Sequence, residues 1–121
     1  MTDGGAGMTL VMQKLSLDAQ ARNLLTRASA SSSGRAAETV YGGHEHVLRQ
    51  TLIALTAGTG MSEHENPGEA TVLVRAGRVR LTSGDDAWDG IAGDLLIVPG
   101  ARHALEAIED SVVLLTVAKL G

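Results

Sequence analysis

Four histidines and the absence of cysteine limit the chemistry that this chain can carry out. The histidines are His44, His46, His64 and His103, and none of the 121 residues is a cysteine. Disulfides, iron–sulfur clusters, thiolate zinc sites and cysteine nucleophiles are therefore excluded. Any metal ion must be held by nitrogen and oxygen ligands, which histidine, carboxylate and amide side chains supply.

Other catalytic patterns are missing from the sequence. No serine lies in a nucleophile elbow, and the glycine-rich stretches lack the Gly-Lys-Ser/Thr ending of a phosphate-binding loop. Asp85, Asp86 and Asp89 resemble a calcium loop but lack its final glutamate, so we interpret them as turn residues. We interpret Trp88 as a packing residue or as part of a pocket rim.

Charge and composition argue against two classes of partner. The net charge is −4, the ten basic residues are scattered, and only 2% of residues are aromatic, which disfavours nucleic acid. Arg75, Arg78 and Arg80 cluster, but a solvated strand face explains them. The apolar run over residues 8–12 is too short for a signal or membrane segment. We therefore expect a cytoplasmic protein with no membrane partner.

A helix is predicted near the N-terminus, after a flexible segment over residues 1–15. Ser16 is a good N-cap and Asp18 suits the first turn. Apolar residues recur at helical spacing at Leu17, Ala21, Leu24, Leu25 and Ala28. Small polar residues over 29–34 end the helix. Residues 16–40 are thus predicted to be a helix and a loop, and residues 41–121 a β-barrel.

Short strands separated by polar turns are predicted after residue 41. The segments on either side of Gly77, over 70–76 and 78–82, are predicted to form a hairpin. Regular short strands with no helices between them indicate an antiparallel sandwich or barrel. The remaining candidates are 46–55, 87–91, 95–99, 103–108 and 111–119.

Two of these segments, 52–55 and 112–117, are almost continuously apolar. A strand of a small barrel has one face toward the core, so its second apolar face needs a cover. The N-terminal helix is predicted to cover one of these faces. A second subunit can cover the other, which predicts a homodimer.

Two segments resemble the conserved motifs of the cupin superfamily. They read GMSEHENPGEATVLVRAG over residues 60–77 and GDLLIVPGARHAL over 93–105. The first family motif places His-x-His, then Glu, between two glycines, and the second places Pro-x-Gly and His after a glycine. The resemblance, over roughly residues 46–119, implies a small RmlC-like jelly roll. Such a fold is an all-β antiparallel double-stranded β-helix, here with one short N-terminal α-helix.

The resemblance also implies a metal site, of which half remains. His64 and His103 stand at family histidine positions, Asn66 replaces the second histidine and is the third candidate metal ligand, and Ala70 replaces the glutamate. The loss of the carboxylate predicts at most a weakly held divalent ion such as Zn, Fe, Mn or Ni. Glu69 would reach the site only through a bulge, because neighbouring side chains on a strand point to opposite faces.

A second His-x-His is formed by His44 and His46, and Gln50 follows at the spacing where a cupin places its acid. The downstream spacing disfavours this register, so we interpret the pair as exposed residues at the entry to a strand. The alternative is that His44, His46 and Gln50 fold over the barrel mouth and complete a site with the two motif histidines.

Two function classes remain open. The first is a binding or sensing module whose pocket, lined by His64, Asn66, Ala70 and His103, holds a small molecule with or without a weakly bound metal ion. The second is a metal-dependent cupin enzyme of the dioxygenase, isomerase or decarboxylase class that uses His64 and His103. The missing carboxylate favours the first class, in which the two histidines can also be merely hydrogen-bonded residues of the barrel.

Overall fold

A computed structural model describes residues 12–64 and 68–119, and the side chains of all of these except residues 63 and 64. This part of the chain contains one helix and nine strands. The elements are α1 (Leu17–Ala30), β1 (Arg35–Gly42), β2 (Leu48–Leu55), β3 (Gly60–His64), β4 (Gly68–Ala76), β5 (Arg78–Ser83), β6 (Asp86–Ile91), β7 (Leu95–Ile97), β8 (His103–Ala107) and β9 (Ser111–Lys119). Most of the predicted flexible N-terminus lies outside the described residues.

The predicted helix is confirmed together with its N-cap. The Ser16 hydroxyl accepts a hydrogen bond from the Ala19 amide at 3.2 Å, which satisfies one of the amides that a helix start leaves open. Leu24 and Ala28 are fully buried, so the apolar stripe faces the protein. No helix in the described part of the chain is long and apolar enough to cross a membrane.

The strands form two facing sheets with a shared core. The large sheet has the order β1-β2-β9-β4-β7 and the small sheet the order β3-β8-β5-β6. Every pairing between described strands is antiparallel. This arrangement confirms the predicted fold class, an all-β antiparallel barrel with one short helix.

The central strands of the large sheet are buried on both faces, as their composition predicts. Ile53 of β2 and Val113 of β9 belong to the core between the sheets. Their neighbours Leu52 and Val112 belong instead to a second cluster that includes Leu24 of α1. The helix therefore covers the outer face of these strands, because alternate residues of a strand point to opposite sides.

The barrel begins earlier than the sequence predicts. Residues 35–42 form β1, which pairs with β2 from Arg35 opposite Leu55 to Gly42 opposite Arg49, whereas residues up to 40 are predicted to be helix and loop. β1 lies at the edge of the large sheet, and its residues are exposed or half-buried. An edge strand of this kind carries little hydrophobic alternation, so the pattern that signals a strand is weak.

The predicted hairpin around Gly77 is wrong. β4 belongs to the large sheet and β5 to the small one, so Gly77 carries the chain from one sheet to the other. Its φ is +83°, and a Cβ atom here would overlap the carbonyl oxygen of Asp110 and the side chain of Ser111. A strand–glycine–strand pattern locates the turn, but the partners of the two strands depend on residues far away in sequence.

Candidate functional site

The two sheets enclose a small, mostly apolar cavity. Its volume is about 20 Å³, which is room for one water molecule. His103 is the only polar residue among the described residues that line it, and the others, among them Val72, Leu81 and Val98, are apolar. The interior can therefore offer an occupant many apolar contacts and one imidazole.

His103 is the first residue of β8 and only 7% exposed. Its Nδ1 atom lies 3.0 Å from the carbonyl oxygen of Ala101. A carbonyl oxygen only accepts hydrogen bonds, so Nδ1 carries the hydrogen, and a neutral ring then has its lone pair at Nε2. The backbone thus sets the orientation of the ring and its tautomer.

The structure places His64 beside His103 at the level of the backbone. The two residues are direct partners in the antiparallel pairing of β3 with β8, a relation in which the Cα atoms lie about 4.5–5.5 Å apart. Two distant motifs are thereby brought to adjacent positions. Asn66, the third predicted ligand, lies outside the described residues.

The position expected to supply a carboxylate does not do so. Ala70 is 9% exposed and belongs to the core between the sheets, and it pairs with Val117 of β9. Glu69 is exposed, and the register of β4 with β9 is unbroken from Gly68 to Val74. No bulge therefore turns Glu69 inward.

A metal site of the family type does not fit the described residues. In this part of the chain no group of three or more histidine, aspartate or glutamate residues is able to hold a metal ion. The anionic ligand is replaced by the methyl group of Ala70, so a divalent ion would gain no charge neutralisation there.

The second histidine pair lies apart from the cavity wall. His44 and His46 are exposed in the connection between β1 and β2, and the His46 ring packs edge-on against Tyr41 with centroids 5.7 Å apart. Gln50 donates a hydrogen bond from Nε2 to Thr116 Oγ1 at 3.2 Å. By strand alternation from the core residue Ile53, Gln50 lies on the outer face of the large sheet.

A groove between the edge strands β6 and β7 adjoins the cavity. We name it the Trp88 groove; its volume is about 150 Å³ and its lining residues are Leu81, Ser83, Asp86, Trp88, Ile97 and Pro99. Trp88 is 69% exposed and lies on the groove wall, which confirms a rim position. Leu81 lines both the groove and the cavity. The contribution of Ser83, Asp86 and Ile97 has no signal in the sequence, because β7 of the large sheet meets the paired strands β5 and β6 only through the packing of the two sheets.

Two residues of the arginine cluster, Arg78 and Arg80, lie on the opposite face of the small sheet, whereas Arg75 of β4 belongs to the large sheet and forms an ion pair with Asp18 of α1 at 2.8 Å. Arg80 donates to Asp89 from Nε at 2.7 Å and from Nη2 at 3.2 Å. These hydrogen bonds and the attraction between the charges lower the pKa of Asp89 below its ordinary value and raise the pKa of Arg80. Arg78 also contacts Asp89 at 3.3 Å. Arg78 and Arg80 thus form a solvated strand face, as predicted, and Arg75 does not share it.

Comparison with known proteins yields structural neighbours. No family model matches the chain, and no curated protein does so. A conserved protein of unknown function from Streptococcus pyogenes has a TM-score of 0.67 and 26% identity, covering 75% of this chain and 79% of that one. A cupin superfamily protein from Desulfitobacterium hafniense has a TM-score of 0.66 and 21% identity, covering 71% and 78%. A salicylate 1,2-dioxygenase from Pseudaminobacter salicylatoxidans has a TM-score of 0.69 and 17% identity, covering 83% and 33%.

These neighbours share an architecture rather than an activity. They include an enzyme and a protein of unknown function, and one fold can host many chemistries. The likeness extends over 71% to 83% of this chain, so it concerns the barrel as a whole rather than one motif. The chain has the jelly-roll fold of the cupin superfamily.

Proposed function

We propose that this protein binds a small molecule in the Trp88 groove and does not catalyse a reaction. The observation that carries the proposal is the Trp88 groove, whose walls are mostly apolar and adjoin a cavity in which His103 is the one polar group among the described lining residues. General acid–base chemistry needs positioned titratable groups at the reacting atoms. A wall of this kind supports binding instead.

The sizes of the two spaces favour the Trp88 groove over the cavity as the binding site. The cavity of about 20 Å³ admits one water molecule, whereas the adjoining Trp88 groove measures about 150 Å³. Because Leu81 is common to both, a ligand in the groove directs one end toward the His103 cavity. The groove therefore supplies most of the contact area.

An uncharged apolar dye, N-phenyl-1-naphthylamine, tests this proposal. We expect saturable binding, read by energy transfer from Trp88, the single tryptophan of the chain. Ile97→Asp is expected to weaken binding more than tenfold, since it removes an apolar wall residue and adds a charge. Ile91→Asp is the matched control, because Ile91 of β6 is also an exposed isoleucine but does not line the groove. Equal weakening by both variants, or no saturable binding, would contradict the proposal.

A metal-dependent reaction of the dioxygenase, isomerase or decarboxylase class is the second candidate. It is favoured by the pairing of His64 with His103, which puts two imidazole-bearing residues at adjacent positions. Two imidazoles without a carboxylate would hold a divalent ion only weakly. The first candidate therefore remains preferred.

We also propose that the protein is a homodimer that uses the uncovered part of the large sheet. This open face consists of the outer residues of β2, β4 and β9 beyond the helix, with Gln50, Thr116 and Thr71 in one row across the three strands. The row is neutral, and its Gln50 and Thr116 side chains are already hydrogen-bonded to each other. A two-fold interface pairs a surface with itself, so a neutral surface avoids like-charge repulsion. The outer face of the small sheet, with Arg80 and Asp89, is by contrast charged.

Thr71→Arg is expected to convert the dimer to a monomer, because it places a bulky charged side chain on the open face of each copy, where an interface would bury it without a partner. Thr82→Arg, a half-buried threonine on the outer face of the small sheet, is the control and should leave the dimer intact. Light scattering at micromolar concentration measures the mass. A monomeric mass for the natural protein at micromolar concentration would refute the dimer.

A further inference from the structure

The Trp88 groove contains an exposed indole beside a carboxylate. Trp88 lies opposite Leu81 in the pairing of β5 with β6, and Asp86 lies opposite Ser83 one row further toward the turn. Residues 86 and 88 occupy the same face of β6, since strand side chains alternate. The aromatic wall and the acidic end therefore border one space.

The apolar part of the groove is larger than the indole alone. Ile97 is 69% exposed and Leu95 is 56% exposed, and both border a hollow that Trp88 and Leu81 also line. Large apolar side chains left in water on one side of an aromatic ring provide contact area that a ring or alkyl group of a ligand can bury.

The polar side chains in this groove present acceptors. The Ser83 hydroxyl donates its hydrogen to the carbonyl oxygen of Arg102 at 2.8 Å, so only its lone pairs remain for a ligand. The ionised carboxylate of Asp86 is also an acceptor, and no described residue forms an ion pair with it. No described lining residue is basic. A ligand must bring hydrogen-bond donors, and positive charge matches both Asp86 and the indole face.

Resting on the proposed function, we infer that the Trp88 groove recognises a small organic cation, namely a protonated amine carrying an aromatic or alkyl group. The ammonium lies between the Asp86 carboxylate and the Trp88 face, and the apolar group lies against Ile97 and Leu81. An anion of the same size is disfavoured by Asp86, and a neutral molecule forgoes the charged contacts.

Three probes of one shape test the charge preference: benzylammonium, benzyl alcohol and benzoate. The fluorescence of Trp88 reports binding directly, because it is the only tryptophan. We expect benzylammonium to bind about fivefold more tightly than benzyl alcohol, and benzoate to bind most weakly. Added salt at 0.5 M, about the range where surface charges are strongly screened, should remove the advantage of the cation and leave benzyl alcohol unchanged.

Asp86→Asn is expected to remove most of the fivefold preference for benzylammonium over benzyl alcohol and to leave only the part that the indole face contributes. Asp85→Asn removes the adjacent turn carboxylate, which does not line the groove, and should keep the fivefold preference. Equal affinities in the natural protein, or the same loss in both variants, would overturn the cation proposal alone. Absence of saturable binding for all three probes and for N-phenyl-1-naphthylamine would overturn the proposed function as well.

Discussion

Replacing Ala70 by glutamate is expected to lower the free energy of unfolding by about 3–5 kcal/mol at neutral pH. Ala70 is 9% exposed and packed in the core between the sheets, so the new carboxylate would be charged and unpaired. Ala70→Gln is the matched control, since it adds the same volume without a charge. Urea unfolding of both variants measures the difference that the charge makes.

The destabilisation caused by Ala70→Glu should depend on pH in a defined direction. Burial raises the pKa of a carboxyl group in the folded state above its unfolded value of about 4.3. The penalty is therefore complete above the folded-state pKa, and it declines as the pH falls toward the unfolded value. Below about pH 4, Ala70→Glu should approach the stability of Ala70→Gln. A difference between them that does not change with pH would contradict a buried carboxylate at this position.

Zinc should reverse part of the destabilisation of Ala70→Glu. Opposite unit charges 4 Å apart attract by about 4 kcal/mol at an effective dielectric constant of 20, and a ligand bound only by the folded state raises the melting temperature. Zinc should raise the melting temperatures of the natural protein and of Ala70→Gln much less than that of Ala70→Glu. His103→Ala in the Ala70→Glu background should abolish the response. An equally large shift in the natural protein would show that its metal binding does not need a carboxylate at residue 70.

Leu24→Ala is expected to cost about 2–5 kcal/mol of stability. Leu24 is fully buried against the outer face of the large sheet, in a cluster with Leu52 and Val112. Removing it leaves a cavity between helix and sheet, so the whole fold should lose stability in one cooperative transition. The measurement is the urea midpoint with an unchanged slope.

Leu25→Ala is the control for this effect, since Leu25 is adjacent on the helix but only partly buried. Its truncation removes less buried apolar area, so it should lower the free energy of unfolding clearly less than Leu24→Ala does. Equal costs for Leu24→Ala and Leu25→Ala would mean that the helix does not bury the face assigned to it.

Local patterns in the sequence account for the elements that it predicts well. The N-cap at Ser16 and the stripe ending at Ala28 are decided within a few residues by backbone hydrogen bonding and helical spacing. The apolar runs over 52–55 and 112–117 likewise require burial on both faces, whatever covers them. The edge strand β1 escapes prediction because its residues are exposed or only half-buried, which leaves it little hydrophobic alternation.

The candidate site is only partly predictable from the sequence, because part of it depends on contacts between strands of different sheets. That Ala70 has no donor atom follows from its identity, and the resemblance to the family motifs points to His64 and His103 by residue type and spacing. Asp86 and Ile97 carry no such signal. Their relevance depends on β6 and β7, the edge strands of different sheets, bordering the same groove.

By itself, the sequence determined the helix, the strand content, the two-sided burial of β2 and β9, and the lack of a carboxylate at residue 70. Each of these depends on residue identity or on short-range periodicity. Only the tertiary structure decided that the chain changes sheets at Gly77, that His103 faces an apolar cavity, and that Trp88, Asp86 and Ile97 share a groove. Those features arise from long-range strand pairing, in which each partner is selected by the whole packed core rather than by its neighbours in the chain.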